Sequence, residues 1–126
     1  MPAGASKTDW ERGGAIFRTD LDLPGRRQGK VRDVYDLPGS RLLVVATDRL
    51  SAFDVVMPTP IPGKGEMLTQ MSNFWFARTV HIVPNHLTGR PVSRVVTDPE
   101  DLALVEGRAV IVRRLGALPI EAVVRG

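Results

Sequence analysis

A strand–turn–strand pattern constrains the fold of this chain more than any other feature. The run QGKVRDVYDL has the two-residue alternation of a β-strand, and DLPGS follows it with Pro and Gly in turn positions. The next run, Leu42 to Thr47, is continuously apolar and rich in β-branched residues, which is typical of a buried central strand. The sequence therefore predicts an antiparallel hairpin whose second arm lies in the core.

Two further stretches have helical patterns. Residues 66–80 place apolar side chains at spacings of three and four, so we expect a helix whose apolar face packs in the core. A shorter helix is predicted to begin after Thr97 or Asp98, with Pro99 in its first turn and Gly107 beyond its end.

Three apolar runs complete the pattern and are predicted as short strands: Val55 to Met57, Ala109 to Val112 and Ile120 to Val124. Hairpins dominate, and too few helices are present to cross between parallel strands. The predicted fold is therefore α+β, a mostly antiparallel sheet with one main covering helix. Residues 1–25 show little periodicity and are expected to form a loosely ordered arm, which leaves residues 26–126 as the folded lobe.

Composition excludes several classes of protein. A length of 126 residues with 43% apolar and 25% charged residues suits one globular domain or lobe. No run approaches the roughly 18 apolar residues of a spanning helix, and the amino terminus lacks a signal-peptide stretch, which predicts a soluble cytoplasmic protein. The absence of cysteine excludes disulfides and thiolate metal sites. A net charge of +3 suits an anionic partner, or is only a solubilising surface charge.

Candidate anion-binding residues lie on the first arm of the predicted hairpin. Lys30 and Arg32 are two positions apart on that strand and would project to one face, where they could meet a polyphosphate. The sequence is not a P-loop, which needs Gly, four residues and then Gly-Lys-Ser/Thr. The PGKG segment at residues 62–65 is interpreted as a turn carrying a lysine.

Polar residues also follow the buried strand. Asp48, Arg49, Ser51 and Asp54 in TDRLSAFD could hold a metal, a substrate amine or a hydroxyl, or could only form caps and turns. His81 and His86 have no nearby carboxylates, so a metal site is not expected there.

Four segments together resemble one known family: GKVRDVYD, LLVVATDRLSAFDVVMPTPIPGKGEMLTQMSNFWF, PNHLTG and VIVRRLGALPIEAVVRG. They look like the amino-terminal part of the phosphoribosylaminoimidazole-succinocarboxamide synthases, or SAICAR synthetases. The resemblance runs from about Gly29 to Gly126. It implies a kinase-like nucleotide lobe and a purine biosynthesis ligase that joins aspartate to carboxyaminoimidazole ribonucleotide, using ATP and Mg²⁺.

The resemblance also implies functions for particular residues. The implied ATP-binding residues are Lys30, Val31, Arg32, Leu43, Leu115, Ala117, Leu118 and Glu121. Lys30 and Arg32 would face the phosphates, Leu43 would line the adenine pocket, and residues 115–118 would form a hinge beside the adenine. The implied substrate-binding residues are Ser51, Asp54 and Arg125. No catalytic residue or metal ligand is assigned, because the magnesium ligands are expected mainly in a carboxyl-terminal domain that this sequence lacks.

Members of that family continue past VVRG into a second, larger domain, so the chain is expected to be a truncated product, a cut fragment or a stand-alone lobe, inactive alone. The implied partners are ATP, aspartate and the ribonucleotide, with no nucleic acid and no membrane. A competing interpretation is a basic, non-catalytic module that binds RNA or an acidic protein. Sheets that bind RNA usually carry aromatic side chains on their surface, and in this sequence only Tyr35 falls on a predicted strand. An uncovered sheet face would also favour homo-oligomers.

Overall fold

The computed structural model describes residues 14–126, and its centre is a four-stranded antiparallel sheet. In chain order the strands of this sheet are β1 (Arg27–Gln28), β2 (Arg32–Leu37), β3 (Arg41–Ala46) and β6 (Ala109–Arg113). The strands β4 (Ser51–Ala52) and β5 (Val55–Val56) form a separate hairpin. Their spatial order is β1–β2–β3–β6, and each neighbouring pair is antiparallel. The predicted α+β class with a mostly antiparallel sheet is confirmed.

The predicted hairpin is formed by β2 and β3, which pair from Arg32 opposite Ala46 to Leu37 opposite Arg41. Lys30, however, lies in the turn between β1 and β2 and not on a strand, because the amide of Gly29 donates to the carbonyl of Arg32 at 2.8 Å. Strand alternation therefore does not place Lys30 and Arg32 on one face.

The hydrophobic core covers one face of this sheet. Tyr35, Leu43 and Val45 are fully buried there, and Val96 and Val105 belong to the same cluster. Val105 is the last residue of the short helix α2 (Pro99–Val105). The carboxylate of Asp98 caps the start of this helix by accepting a hydrogen bond from the amide of Asp101 at 3.1 Å. This helix is placed as the sequence predicts.

The long helix α1 (Lys64–Thr79) forms where the sequence predicts it, but its apolar stripe is not in the core. Met67, Met71, Phe74 and Trp75 are 52–58% exposed. The helix meets the sheet through Gly65, which is buried against the backbone of β3. The prediction that this stripe packs in the core is wrong because helical spacing identifies an apolar face but not the surface that would cover it.

Short elements complete the described chain. The strands β4 (Ser51–Ala52) and β5 (Val55–Val56) form a two-residue hairpin, and a 3₁₀ turn spans Val92–Arg94. Phe53 and Asp54 at the hairpin tip both have left-handed φ angles, 50° and 61°, which is the geometry of a type I′ turn.

The predicted strand from Ile120 to Val124 is absent from the structure. Residues 114–126 contain no strand, and the side chains of Ile120, Val123 and Val124 are 63–96% exposed. A strand requires a partner for its backbone groups, and no other strand of residues 14–126 pairs with this segment.

The part of the predicted amino-terminal arm that the structure describes is held by hydrogen bonds. The amide of Ile16 donates to the carboxylate of Asp48 at 2.9 Å, and the amide and hydroxyl of Thr19 donate to Asp33 at 2.8 Å. These contacts of residues 14–25 differ from the loosely ordered arm predicted for residues 1–25. Residues 1–13 lie outside the described part of the chain.

Candidate functional site

A buried arginine fixes the turn that carries Lys30. The guanidinium of Arg49 is paired with Asp33 at 2.9 Å, and both side chains are fully buried. Arg49 also donates to the backbone carbonyls of Gly29, at 2.9 Å, and Lys30, at 3.1 Å. The backbone of the β1–β2 turn is therefore anchored to the core while the Lys30 side chain remains exposed.

Asp48 is a second buried anchor and joins three separate segments. One carboxylate oxygen accepts from the amide of Gly65 and the guanidinium of Arg108, each at 2.8 Å, and the other accepts from Ile16. Burial acts to raise the pKa of Asp48, but these hydrogen bonds outweigh it and hold that pKa below its ordinary value. Asp48 thus fixes where helix α1 and strand β6 begin.

An exposed ion pair connects two of the predicted ligand-binding residues. The ammonium of Lys30 contacts the carboxylate of Asp54 at the tip of the β4–β5 hairpin. The hydrogen bond to Asp54 raises the pKa of Lys30, and the same bond lowers the pKa of Asp54. The negative charge of Glu121 is near enough to raise the pKa of Lys30 further. Lys30, implied to bind ATP, therefore lies beside Asp54, implied to bind substrate, and Glu121 lies near Lys30.

A groove of about 380 Å³ runs between helix α1 and the sheet face opposite the core. Its apolar lining comes from strands and helix, with Val44, Ala46, Val110, Leu68 and Phe76 among the contributors. Its remaining lining residues are Val31, Arg32, Thr47, Lys64, Thr69, Ser72, Asn73, His86, Leu87 and Arg108. The groove thus contains two of the predicted ATP-binding residues, Val31 and Arg32.

The charged residues that line the groove are all basic. They are Arg32, Lys64 and Arg108, and no Asp or Glu of residues 14–126 is among the lining side chains. Arg108 is already paired with Asp48. Burial, followed by the positive charges of Arg32 and Arg113, lowers the pKa of His86, so its imidazole is neutral at pH 7. The groove can therefore accept an anion against an apolar floor.

Leu43 does not line this groove, although the family resemblance implies that it meets the adenine. Its side chain is fully buried in the core on the opposite face of the sheet, with Tyr35 and Ile111. Neighbouring side chains on a strand point to opposite faces of the sheet. Val44, the residue after Leu43, is therefore the one that lines the groove.

The other predicted residues lie outside the groove. Leu115, Ala117 and Leu118 are exposed in the segment beyond β6, and Arg125 is exposed near the end of the chain. Ser51 is half-buried in β4. Within residues 14–126, no hydrogen bond or ion pair joins Arg125 to Lys30, Ser51 or Asp54.

Most of the groove lining, including Lys64 and His86, is not predicted from the sequence. The sequence indicates only a turn at Lys64 and no metal site at His81 and His86. The signal for Lys64 was available, because a lysine between two glycines at the start of a predicted helix marks a tight backbone approach. His86 has no comparable local signal.

The part of the chain described here contains no group of three or more His, Asp or Glu side chains that could hold a metal ion. It also contains no helix of the length and apolar character needed to cross a membrane.

Fold and groove together define the class of this protein: an α+β domain with a groove of basic and apolar residues between a helix and an antiparallel sheet. Comparison with solved structures agrees on the fold. A SAICAR synthase matches with a TM-score of 0.75 and 38% identity, covering 83% of this chain and 39% of that one. A SAICAR synthase from Saccharomyces cerevisiae, complexed with SAICAR, matches with a TM-score of 0.70 and 40% identity, covering 78% and 36%.

The sequence comparisons give the family. The family model for SAICAR synthetase matches residues 26–126, and the chain belongs to this family. A phosphoribosylaminoimidazole-succinocarboxamide synthase from Stenotrophomonas maltophilia (strain R551-3) is 58% identical, with 88% of this chain and 40% of the relative covered. The synthase of Xanthomonas euvesicatoria pv. vesicatoria (strain 85-10) is 56% identical with the same coverage. The chain therefore spans about two fifths of the length of the curated relatives it matches.

Proposed function

We propose that this chain forms the ATP-binding part of a SAICAR synthetase, a purine biosynthesis ligase that condenses aspartate with carboxyaminoimidazole ribonucleotide. The observation that carries the proposal is the groove, whose charged lining is entirely basic and whose floor is apolar. An apolar slot suits an adenine ring and a cationic end suits a polyphosphate. The proposal includes a cytoplasmic location, which fractionation of cells expressing the tagged protein tests.

In this proposal the phosphates lie at the end of the groove next to Ala46. Arg32 is opposite Ala46 in the sheet, and the β1–β2 turn that carries Lys30 precedes Arg32 directly. The adenine would occupy the apolar floor, towards Val110 and Leu87. The segment with Leu115, Ala117 and Leu118 follows β6, from which it could approach the ring.

The second substrate is proposed to bind beside Asp54. Ser51 and Asp54 belong to the β4–β5 hairpin, and Asp54 already contacts Lys30. A carboxylate there could accept a hydrogen bond from a substrate amine or hydroxyl. Arg125 would offer a planar guanidinium to a carboxylate or phosphate of the same substrate.

The proposed reaction proceeds in two steps. A carboxylate oxygen of the ribonucleotide attacks the γ-phosphorus of ATP, the bond to the β-phosphate oxygen breaks, and ADP leaves. The amine of aspartate then attacks the resulting acyl phosphate, the amide C–N bond forms, and phosphate leaves as the nitrogen loses a proton. Such transfers depend mainly on positioning and charge stabilisation, for which Lys30 and Arg32 are the proposed contributors. The described residues contain no group of three or more His, Asp or Glu side chains that could hold a metal ion, so we assign Mg²⁺ no ligand in this chain.

Calorimetric titration of this chain with ATP tests the proposal. We expect saturable binding that weakens about tenfold in Arg32→Gln, because a charge-assisted contact is lost. Arg90→Gln is the matched control, since Arg90 is an exposed arginine outside the groove and its removal should leave affinity within twofold. Binding that is unaffected by either change, or no binding at all, would contradict an ATP site in the groove.

Turnover is a separate measurement. The isolated chain is expected to form no amide product from ATP, aspartate and carboxyaminoimidazole ribonucleotide. A protein of the relatives' length that contains this segment should do so. Full turnover by the isolated chain would show that the remaining three fifths of such proteins are not needed for catalysis.

A further inference from the structure

Lys64 lies at the first position of helix α1 and lines the groove, and none of the functions inferred above uses it. We propose that Lys64 is a further anion-contacting residue, which binds the nucleotide phosphates from the helix side while Arg32 binds them from the sheet side. This inference rests on the proposed function and adds a specific residue to it.

The backbone of Lys64 is held in one place by its neighbours. The amide of Gly65 donates to the buried carboxylate of Asp48 at 2.8 Å, and the amide of Lys64 donates to the carbonyl of Ile61 at 3.1 Å. Gly65 is packed so tightly on β3 that an added Cβ would lie 2.2 Å from the carbonyl oxygen of Ala46. Gly63 supplies the left-handed φ of 78° that starts the helix. A contact residue held in this way needs little ordering when a ligand binds.

The same packing brings Lys64 to the cationic end of the groove. Arg32 pairs with Ala46 across the β2–β3 ladder, and Gly65 packs on the carbonyl of that same Ala46. The backbones that carry Lys64 and Arg32 therefore both adjoin one residue of β3. Two basic side chains from different elements line the groove from this end.

Within residues 14–126, Lys64, like Arg32, lacks the acidic partner that Arg108 and Lys30 possess. Arg108 is paired with Asp48, and Lys30 is paired with Asp54. Within the described part of the chain, the Lys64 side chain forms no hydrogen bond or ion pair, and no acidic side chain lines the groove. Lys64 is half-buried, and an anion of the ligand would supply the partner that its side chain lacks.

The test compares ligands that do and do not carry phosphates. Lys64→Gln should weaken binding of ATP and of inorganic tripolyphosphate about tenfold and leave adenosine binding within twofold, because only the phosphate contact is removed. Lys64→Arg, which keeps the charge, should recover most of the affinity. Arg90→Gln again serves as the control that changes net charge by the same amount outside the groove.

A second measurement uses the wild-type chain, so it does not depend on whether a variant folds. The chain has only three lysines, Lys7, Lys30 and Lys64, so the ε-CH₂ signal of Lys64 can be followed by NMR in the wild-type chain. We expect that signal to shift on addition of tripolyphosphate, with the same midpoint as the calorimetric titration. An unchanged signal at saturation would overturn the inference.

The outcomes separate this inference from the proposed function. If Arg32→Gln weakens ATP binding and Lys64→Gln does not, the ATP site stands and the contact from Lys64 is rejected. If the wild-type chain binds neither ATP nor tripolyphosphate, the proposed function of the groove fails and this inference fails with it.

Discussion

Lys30 and Asp54 form an exposed ion pair that joins the β1–β2 turn to the tip of the β4–β5 hairpin. Lys30 is a proposed phosphate contact and Asp54 is a proposed substrate contact. The ion pair between them would therefore have to open before either side chain binds its ligand. Phe53 and Asp54 at this tip both have left-handed backbone geometry, which favours glycine, asparagine or aspartate. The pair therefore links two proposed ligand contacts through one hairpin.

Removal of the Asp54 charge should strengthen anion binding by this chain. In Asp54→Asn, tripolyphosphate affinity is expected to rise about two- to fivefold, because the phosphate no longer competes with a carboxylate for Lys30. The pKa of Lys30, which the hydrogen bond to Asp54 raises, should fall towards its ordinary value in an NMR titration of the lysine ε-carbon. Asp36→Asn is the control, since Asp36 is paired with Arg27 and Arg114 outside the groove. Equal gains in both variants would point to net charge alone.

Asp48 should make the stability of the chain dependent on pH in the acid range. Its folded pKa lies below its ordinary value, so the stabilisation is fully present above about pH 3.9 and is lost as pH falls through the folded pKa. Asp48→Asn should lower the free energy of unfolding by up to about 3 kcal/mol at pH 7, because the charged hydrogen bond that Arg108 donates to Asp48 is lost. Urea unfolding at several pH values would show that difference shrinking with acid. A difference that stays constant would exclude ionised Asp48 as the source.

The close approach of α1 to the sheet should make Gly65 intolerant of any side chain. Gly65→Ala would place a methyl group against backbone oxygens of Ala46 and Thr47, at a cost of about 1–3 kcal/mol. Because the shift displaces Lys64, tripolyphosphate affinity should fall as well. Gly116→Ala is the matched control, since nothing lies within 4 Å of its added Cβ. Urea unfolding of both variants measures the difference, and equal stability would disprove the tight packing.

Truncation of two apolar residues should change the free energy of unfolding by very different amounts. Leu43→Ala is expected to lower the free energy of unfolding by about 2–5 kcal/mol, because Leu43 is fully buried in the core. Met71→Ala should change it by no more than about 0.5 kcal/mol, because Met71 is 53% exposed on helix α1. Thermal and urea unfolding give both values. A large loss for Met71→Ala would mean that the stripe on α1 is covered in solution.

Self-association also stays a prediction from the sequence. Sedimentation of the chain over a range of concentrations would measure it, and the half-exposed stripe of Met67, Met71, Phe74 and Trp75 is the apolar surface to mutate if a dimer forms.

Local patterns were sufficient for most of the secondary structure. The β2–β3 hairpin, helix α1, helix α2 and strand β6 all follow from alternation, helical spacing and caps, which depend on residues close together in the chain. The strand expected from Ile120 to Val124 failed because a strand is completed by a partner elsewhere, and local sequence does not supply one.

The sequence by itself determined most of the helices and strands, and the family. Only the tertiary structure decided which face of β3 is core, and so assigned Leu43 to packing and Val44 to the groove. It also decided that Lys64 and Arg32, far apart in sequence, line one cavity. The physical reason is that this convergence depends on the contact of Gly65 with Ala46 and on the buried carboxylate of Asp48, and such contacts between distant segments leave no local periodicity.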